Sequence, residues 1–271
     1  MLIAGDGFRV GSLSGGCLEW EIAQHATATL QSGRATLLQY DTRARFGCHG
    51  TIDIFVEQVR EDFLAELAQC RKQRRRCLAA TSFQGPRPGG SRVIADSSEA
   101  SPDDFQQWLA PPLRLLLIGH GPDTPALESF AKVLGWETEF AESAAEASTP
   151  PDEWTAVVVG THHYGRDFAA LRAVLDSPAK YIGLIGSRRR RERLLADLLD
   201  VGMESAATLF GPAGLDLGAE TPEEIGLSIM AEIQAVFRQG SFLPLHHRCG
   251  AIHALREPSA VTASDSNLRL A

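Results

Sequence analysis

The chain has 271 residues and a mass of 29.3 kDa, room for one large domain or two small ones at about 100–200 residues each. Hydrophobic residues make up 44% and charged residues 22%, which excludes wholesale disorder and a collagen-like chain. Lys+Arg total 26 against Asp+Glu 34, a formal net charge of −8, which argues against general nucleic-acid binding but leaves room for a local anion site.

In chain order, Met1–Gly7 lacks the basic and apolar regions of a secretory signal. No apolar run reaches the ~18–20 residues that a membrane helix needs. Gly11-Ser12-Leu13-Ser14-Gly15-Gly16-Cys17-Leu18-Glu19 follows, and Leu18, Ile22, Ala26 and Leu30 recur every fourth residue, predicting a helix over 17–31 stopped by Gly33. A strand is expected over 35–40. Thr51–Val59 alternates Ile52, Ile54 and Val56 on one face and reads as a strand. Glu61–Lys72 reads as a helix and Cys77–Phe83 as a strand. Residues 1–83 are therefore expected to form a small α+β domain. Residues 84–112, rich in Gly, Pro, Ser and Asp, read as a linker with a short helix over 103–109.

From Leu113 the pattern changes. Strands are expected over 113–118, 137–140, 156–159 and 181–185, and helices over 124–134, 167–175, 187–199 and 222–237. Strand–helix alternation with short connections predicts a Rossmann-like parallel sheet over 113–240, followed by an irregular C-terminal tail over 241–271. The fold class is thus α/β, a small N-terminal α+β domain followed by a Rossmann-like domain.

Five segments have residue types suited to chemistry. Gly15 and Gly16 precede Cys17 at a helix start, where unpaired N–H groups favour an anion and the same field favours a thiolate. Gly47-Cys48-His49-Gly50 frames a second cysteine; neither spacing is that of a zinc ribbon. An ordinary structural turn accounts for either segment equally well. Cys70 and Cys77 flank a basic run that reads as solvated surface, and with Cys249 the odd count of five reads as free thiols in a reducing, cytoplasmic compartment.

Gly119-His120-Gly121-Pro122-Asp123-Thr124, after an apolar strand, is an incomplete dinucleotide fingerprint. Glu142 stands about 20 residues on, where a ribose-binding acid is expected. His162, in the loop after the third strand, and Ser187 with Arg188, after the fourth, lie where ligands of open parallel sheets sit. Ser187 and the arginines suit a phosphate. Asp216 and Glu220 stand in a Gly-rich loop before Thr221, Pro222 and Glu224, which form a capping box.

Together, GSLSGGCLE (11–19), GCHGTIDIFVE (47–57), YIGLIGSRRRRERL (181–194) and GLDLGAETPEEIGLSIMAEI (214–233) resemble the XdhC/CoxI family of maturation factors for molybdenum hydroxylases. The resemblance runs from Met1 to about Gly240. It implies a cytoplasmic accessory protein, a chaperone rather than an enzyme. Such a protein binds molybdenum cofactor (molybdopterin), protects it, and delivers it to a partner such as xanthine dehydrogenase. A cysteine desulfurase and a second copy of the chain are further partner candidates. Cys17 and Cys48 fall on the two family cysteines and are the candidate metal contacts; Gly119 and Gly121 fall on the Rossmann turn. The chain departs from the pattern at His49, His163, Tyr164 and Ala213, and family members carry a further helix and strand ahead of the segment matching Met1-Leu2-Ile3. The alternative reading is an NAD(P)-dependent oxidoreductase using Gly119, Gly121 and Glu142. A third is an interaction protein that keeps only partner docking.

Overall fold

The computed structural model describes residues 1–13, 17–41, 50–84 and 90–247. The chain divides into two compact units, Met1–Pro112 and one that begins at Leu113.

In the first unit, β1 (Leu2–Ile3) and β2 (Arg9–Val10) form a short antiparallel hairpin. Helix α1 (Cys17–Ser32) lays Leu18, Ile22 and Ala26 against the antiparallel pair β3 (Thr36–Asp41) and β4 (Thr51–Val56), where Leu38, Tyr40, Ile54 and Val56 meet it. The expected stripe is thus real over three of its four positions. Leu30 on α1 and Ile52 on β4 are exposed. Helix α2 (Glu61–Lys72) leads to β5 (Cys77–Ser82).

The residues expected to be a linker correct that reading. Gly90–Ile94 forms β6 and Phe105–Leu109 forms β7, both antiparallel to the central β5. The short helix expected over 103–109 is therefore a strand. Arg92 and Asp104 form an ion pair that ties the two segments, with Ser82 also donating to Asp104. The Gly/Ser-rich composition belongs to the turns around these strands.

The second unit is built from β8 (Arg114–Ile118), α3 (Thr124–Val133), β9 (Glu137–Ala141), β10 (Thr155–Val159), α4 (Tyr164–Val174), β11 (Tyr181–Leu184), α5 (Arg188–Asp200) and α6 (Pro222–Arg238). Its four strands are all parallel, in the order β9-β8-β10-β11. The strands are apolar runs because both faces are covered. Leu116, Ile118, Val157, Val159, Ile182 and Leu184 pack beneath α4 and α5. Leu115, Leu117, Ala156, Val158 and Tyr181 face α3 and α6. Fully burying each large aliphatic side chain is worth about 1.5–3 kcal/mol, so these alternate residues hold the unit together.

Helix α4 begins three residues earlier than the sequence suggests, at Tyr164, because His163 serves as N-cap and its Nδ1 accepts from the Arg166 N–H at 3.4 Å. Beyond β11, Phe210 pairs with Gly183 through a single parallel bridge and stacks on Tyr181, with ring centroids 4.6 Å apart.

Candidate functional site

From β8 the chain moves to one side, to β9, and then returns to the other side, to β10. The carboxyl ends of β8 and β10 therefore diverge at a topological switch point, where open parallel sheets hold ligands. The loops after these two strands line one small cavity, whose walls include Gly119, Gly121, Asp123, Thr124, Gly160 and His162.

Gly119 is required by the backbone, whereas Gly121 makes room for a side chain. Gly119 has φ +96°, and a Cβ on it would lie 2.6 Å from the Thr161 Cα. A Cβ on Gly121 would lie 2.6 Å from Nε2 of His162. His162 itself has φ +57°, uncommon for a residue with a Cβ, and strain of this kind concentrates at functional sites. Its imidazole lies against Gly121 and closes the cavity to about 10 Å³, the room of one water.

The turn is poorly built as a phosphate cradle. The Gly121 N–H donates to Thr124 Oγ1 at 3.0 Å, and Pro122 has no N–H. Asp123 stands in the N-cap position of α3 but adopts αR geometry, and its side chain caps nothing. It is 5% exposed, and among the described residues no other residue donates a hydrogen bond to its carboxyl. Burial pushes that carboxyl above the usual aspartate range, and the nearby His162 partly opposes the shift.

The loop carrying His162 is anchored from behind. Asp167, fully buried on α4, accepts from the Thr161 N–H at 3.0 Å, from Thr161 Oγ1 at 2.6 Å and from Arg190 Nε at 2.9 Å. Arg190 Nη2 makes a second, ion-paired contact with the same carboxylate. This network ties the loop after β10 to the start of α5. There Ser187 is the N-cap, accepting from the Arg190 N–H at 3.2 Å, and leaves Arg188 and Arg189 exposed.

Of the residues singled out from sequence, Gly119, Gly121 and His162 thus converge on one cavity. Glu142 is exposed at the end of β9 and forms a loose 3.8 Å pair with Arg166. Asp216 and Glu220 are exposed in the loop before α6, whose capping box between Thr221 and Glu224 is formed. That loop is pinned by Glu232, which accepts from the Gly214 N–H at 2.9 Å and from the buried Tyr181 hydroxyl at 2.7 Å. Cys17 is the first residue of α1. Gly15, Gly16 and Cys48 lie outside the described residues.

Cys70 and Cys77 are buried free thiols, and burial together with the neighbouring Cys70 pushes the Cys77 thiol up to about 11. Among the described residues no cluster of three or more His, Cys, Asp or Glu side chains is arranged to hold a metal ion, and no helix is long and apolar enough to cross a membrane. Asp123 and the Thr161–Asp167–Arg190 network escape sequence reading. An aspartate one residue before Thr-Pro looks like a helix cap, and nothing local marks Asp167 as a hub.

Residues 115–233 match the family model described as the XdhC Rossmann domain, and residues 1–41 match that of the XdhC and CoxI family. The chain is 27% identical over 288 residues to a probable xanthine dehydrogenase subunit of Bacillus subtilis (strain 168), covering 86% of each protein. It is 25% identical over 250 residues to the molybdenum cofactor insertion chaperone PaoD of Escherichia coli (strain K12), covering 87% of this chain and 77% of that protein. A crystal structure described as a xanthine dehydrogenase from Bacillus halodurans superimposes with a TM-score of 0.71 at 25% identity, over 88% of this chain and 85% of that one.

Proposed function

We propose, from the premise that this chain belongs to the XdhC and CoxI family, that it binds molybdenum cofactor and delivers it to a molybdenum hydroxylase of the xanthine dehydrogenase kind. The observation that carries this reading is the switch-point crevice. Gly119, whose Cβ space is filled by the Thr161 backbone, and Gly121, packed against the His162 ring, frame a buried carboxyl that caps no helix. Such a crevice recognises a ligand by shape and hydrogen bonding.

The donor set fits the cargo. Molybdenum cofactor carries a pterin, a phosphate and a soft metal–dithiolene unit. The start of α5, with Ser187 as cap and Arg188 exposed, suits the phosphate. A thiolate at Cys17, at the first residue of α1, would be an appropriate soft neighbour for the metal, and Cys48, outside the described residues, is the second cysteine proposed for that role. Asp216 and Glu220, on the loop that Glu232 pins, are further proposed cofactor-binding residues of the second unit. A cysteine desulfurase and a second copy of the chain remain proposed partners, and a reducing cytoplasm the proposed setting, in keeping with the free Cys70 and Cys77.

The oxidoreductase alternative rests on Glu142, which stands at the carboxyl end of β9 but faces Arg166. NAD(P) binding with turnover of a small substrate would replace the carrier reading. The direct test is anaerobic incubation of the purified chain with molybdenum cofactor, followed by elemental analysis and pterin fluorescence of the gel-filtered protein. Stoichiometric retention is expected; no retained molybdenum under reducing conditions overturns the proposal.

A further inference from the structure

Between α2 and β5 the chain reverses through a turn that brings two cysteines together. The Arg75 N–H donates to the Cys70 carbonyl at 3.1 Å and the Arg74 N–H to the Arg71 carbonyl at 3.0 Å, the pair of bonds that defines a Schellman motif. Arg74 occupies its left-handed position with φ +49°, where glycine is the usual residue, and its Nη1 donates to the Pro112 carbonyl at 3.4 Å. The motif folds the chain back over Cys70, in the last turn of α2, and two residues after Arg75 the strand β5 opens with Cys77. Both thiols are free and buried, 2% and 5% exposed, and they are neighbours, the Cys70 thiol helping to keep the proton on Cys77. Five of the six residues from Arg71 to Arg76 are Arg or Lys, so a buried dithiol sits beneath a cationic turn.

We infer that Cys70 and Cys77 form a reversible disulfide, a redox-sensitive staple between the end of α2 and the start of β5. The oxidant is a small anionic disulfide of the glutathione disulfide class. One cysteine thiolate attacks it, forming a mixed disulfide and expelling one thiolate; the second cysteine thiolate then attacks the protein sulfur, forming the bond between Cys70 and Cys77 and expelling the other. The two cysteines are oxidised, and the oxidant is reduced to two thiols that take up the two cysteine protons. With the turn closed, burial keeps the pair protonated and slow to react. When the turn opens, the surrounding cations favour the thiolate and gather the anionic oxidant. The bond closes an eight-residue loop, Cys70 to Cys77, and removes conformations from the unfolded chain, so the oxidised protein is the more stable form. This staple is independent of what the chain carries.

The test uses the full chain in buffers of graded glutathione to glutathione disulfide ratio. Trypsin cuts within the basic turn, so Cys70 and Cys77 end on separate peptides unless a disulfide joins them. Digestion without reductant should yield the two peptides joined, lighter than their sum by two hydrogens, and dithiothreitol should separate them. The oxidised parent should melt above the reduced parent. In a background of Cys17→Ser, Cys48→Ser and Cys249→Ser, which leaves only the pair, the upward shift should persist, and adding either Cys70→Ser or Cys77→Ser should remove it. Peptide mapping of the parent identifies the bond even if a variant fails to fold. Free thiols at Cys70 and Cys77 in the most oxidising buffer, a glutathione adduct on either that never closes, pairing of either with a cysteine elsewhere, or a midpoint that oxidation leaves unchanged or lowers overturns the inference.

Discussion

Burial of the Asp123 carboxyl gives this site a pH dependence of definite sign. Because burial raises the Asp123 pKa, the folded state holds its proton more tightly than the unfolded chain does. Stability contributed at this site therefore falls as pH rises through the interval above the ordinary aspartate value of about 3.9. Asp123→Asn should accordingly melt at or above the parent at pH 7, with the advantage vanishing below about pH 4; thermal melts across that range check the sign. A lower midpoint at pH 7 would mean that the carboxylate is a structural partner. The thiols divide in the same electrostatic terms. Cys77, pushed up to about 11, should resist alkylation in the folded protein, whereas Cys17 sits at the positive end of α1 and should react faster. Peptide-resolved alkylation rates decide it, and a slower Cys17 would count against the helix-start argument.

Between elements, the interactions at the helix starts differ greatly in worth. Thr221→Ala removes an exposed cap and should cost about 1 kcal/mol. Asp167→Ala should cost more, about 3 kcal/mol, because it strands the Arg190 guanidinium and two donors of Thr161. Urea unfolding of both variants measures the difference. At this scale much was legible in advance. The strands and helices after Leu113 follow from apolar runs alternating with helical patterns, and the Thr221–Glu224 cap follows from spacing alone. Strands β6 and β7 did not announce themselves. Phe105-Gln106-Gln107-Trp108 is largely exposed, and Gly90 opens β6, so neither displays the apolar alternation that marks a strand. The convergence of Gly119, Gly121 and His162 is half legible, since each stands out in its own loop, but their meeting depends on strand order, which no local pattern encodes. Asp123 was hidden by its likeness to an ordinary cap.

For the molecule as a whole, the division at Leu113 leaves each unit with its own apolar clusters. A fragment spanning residues 113–247 should therefore fold alone and melt in one cooperative transition; a calorimetric scan without such a transition would mean that it needs the first unit. The turn after β8 has one more consequence for a carrier. Its best backbone donor is already engaged by Thr124, and the next residue is a proline, so the turn cannot clamp an anion as a tight nucleotide site does. A ligand seated at this turn would lack that clamp and should dissociate quickly, since differences in affinity among related complexes reside mostly in the dissociation rate. Hand-over from such a turn to a recipient with deeper burial would need no energy source: the ligand would leave on its own clock, and the recipient's slower dissociation would give the transfer its direction.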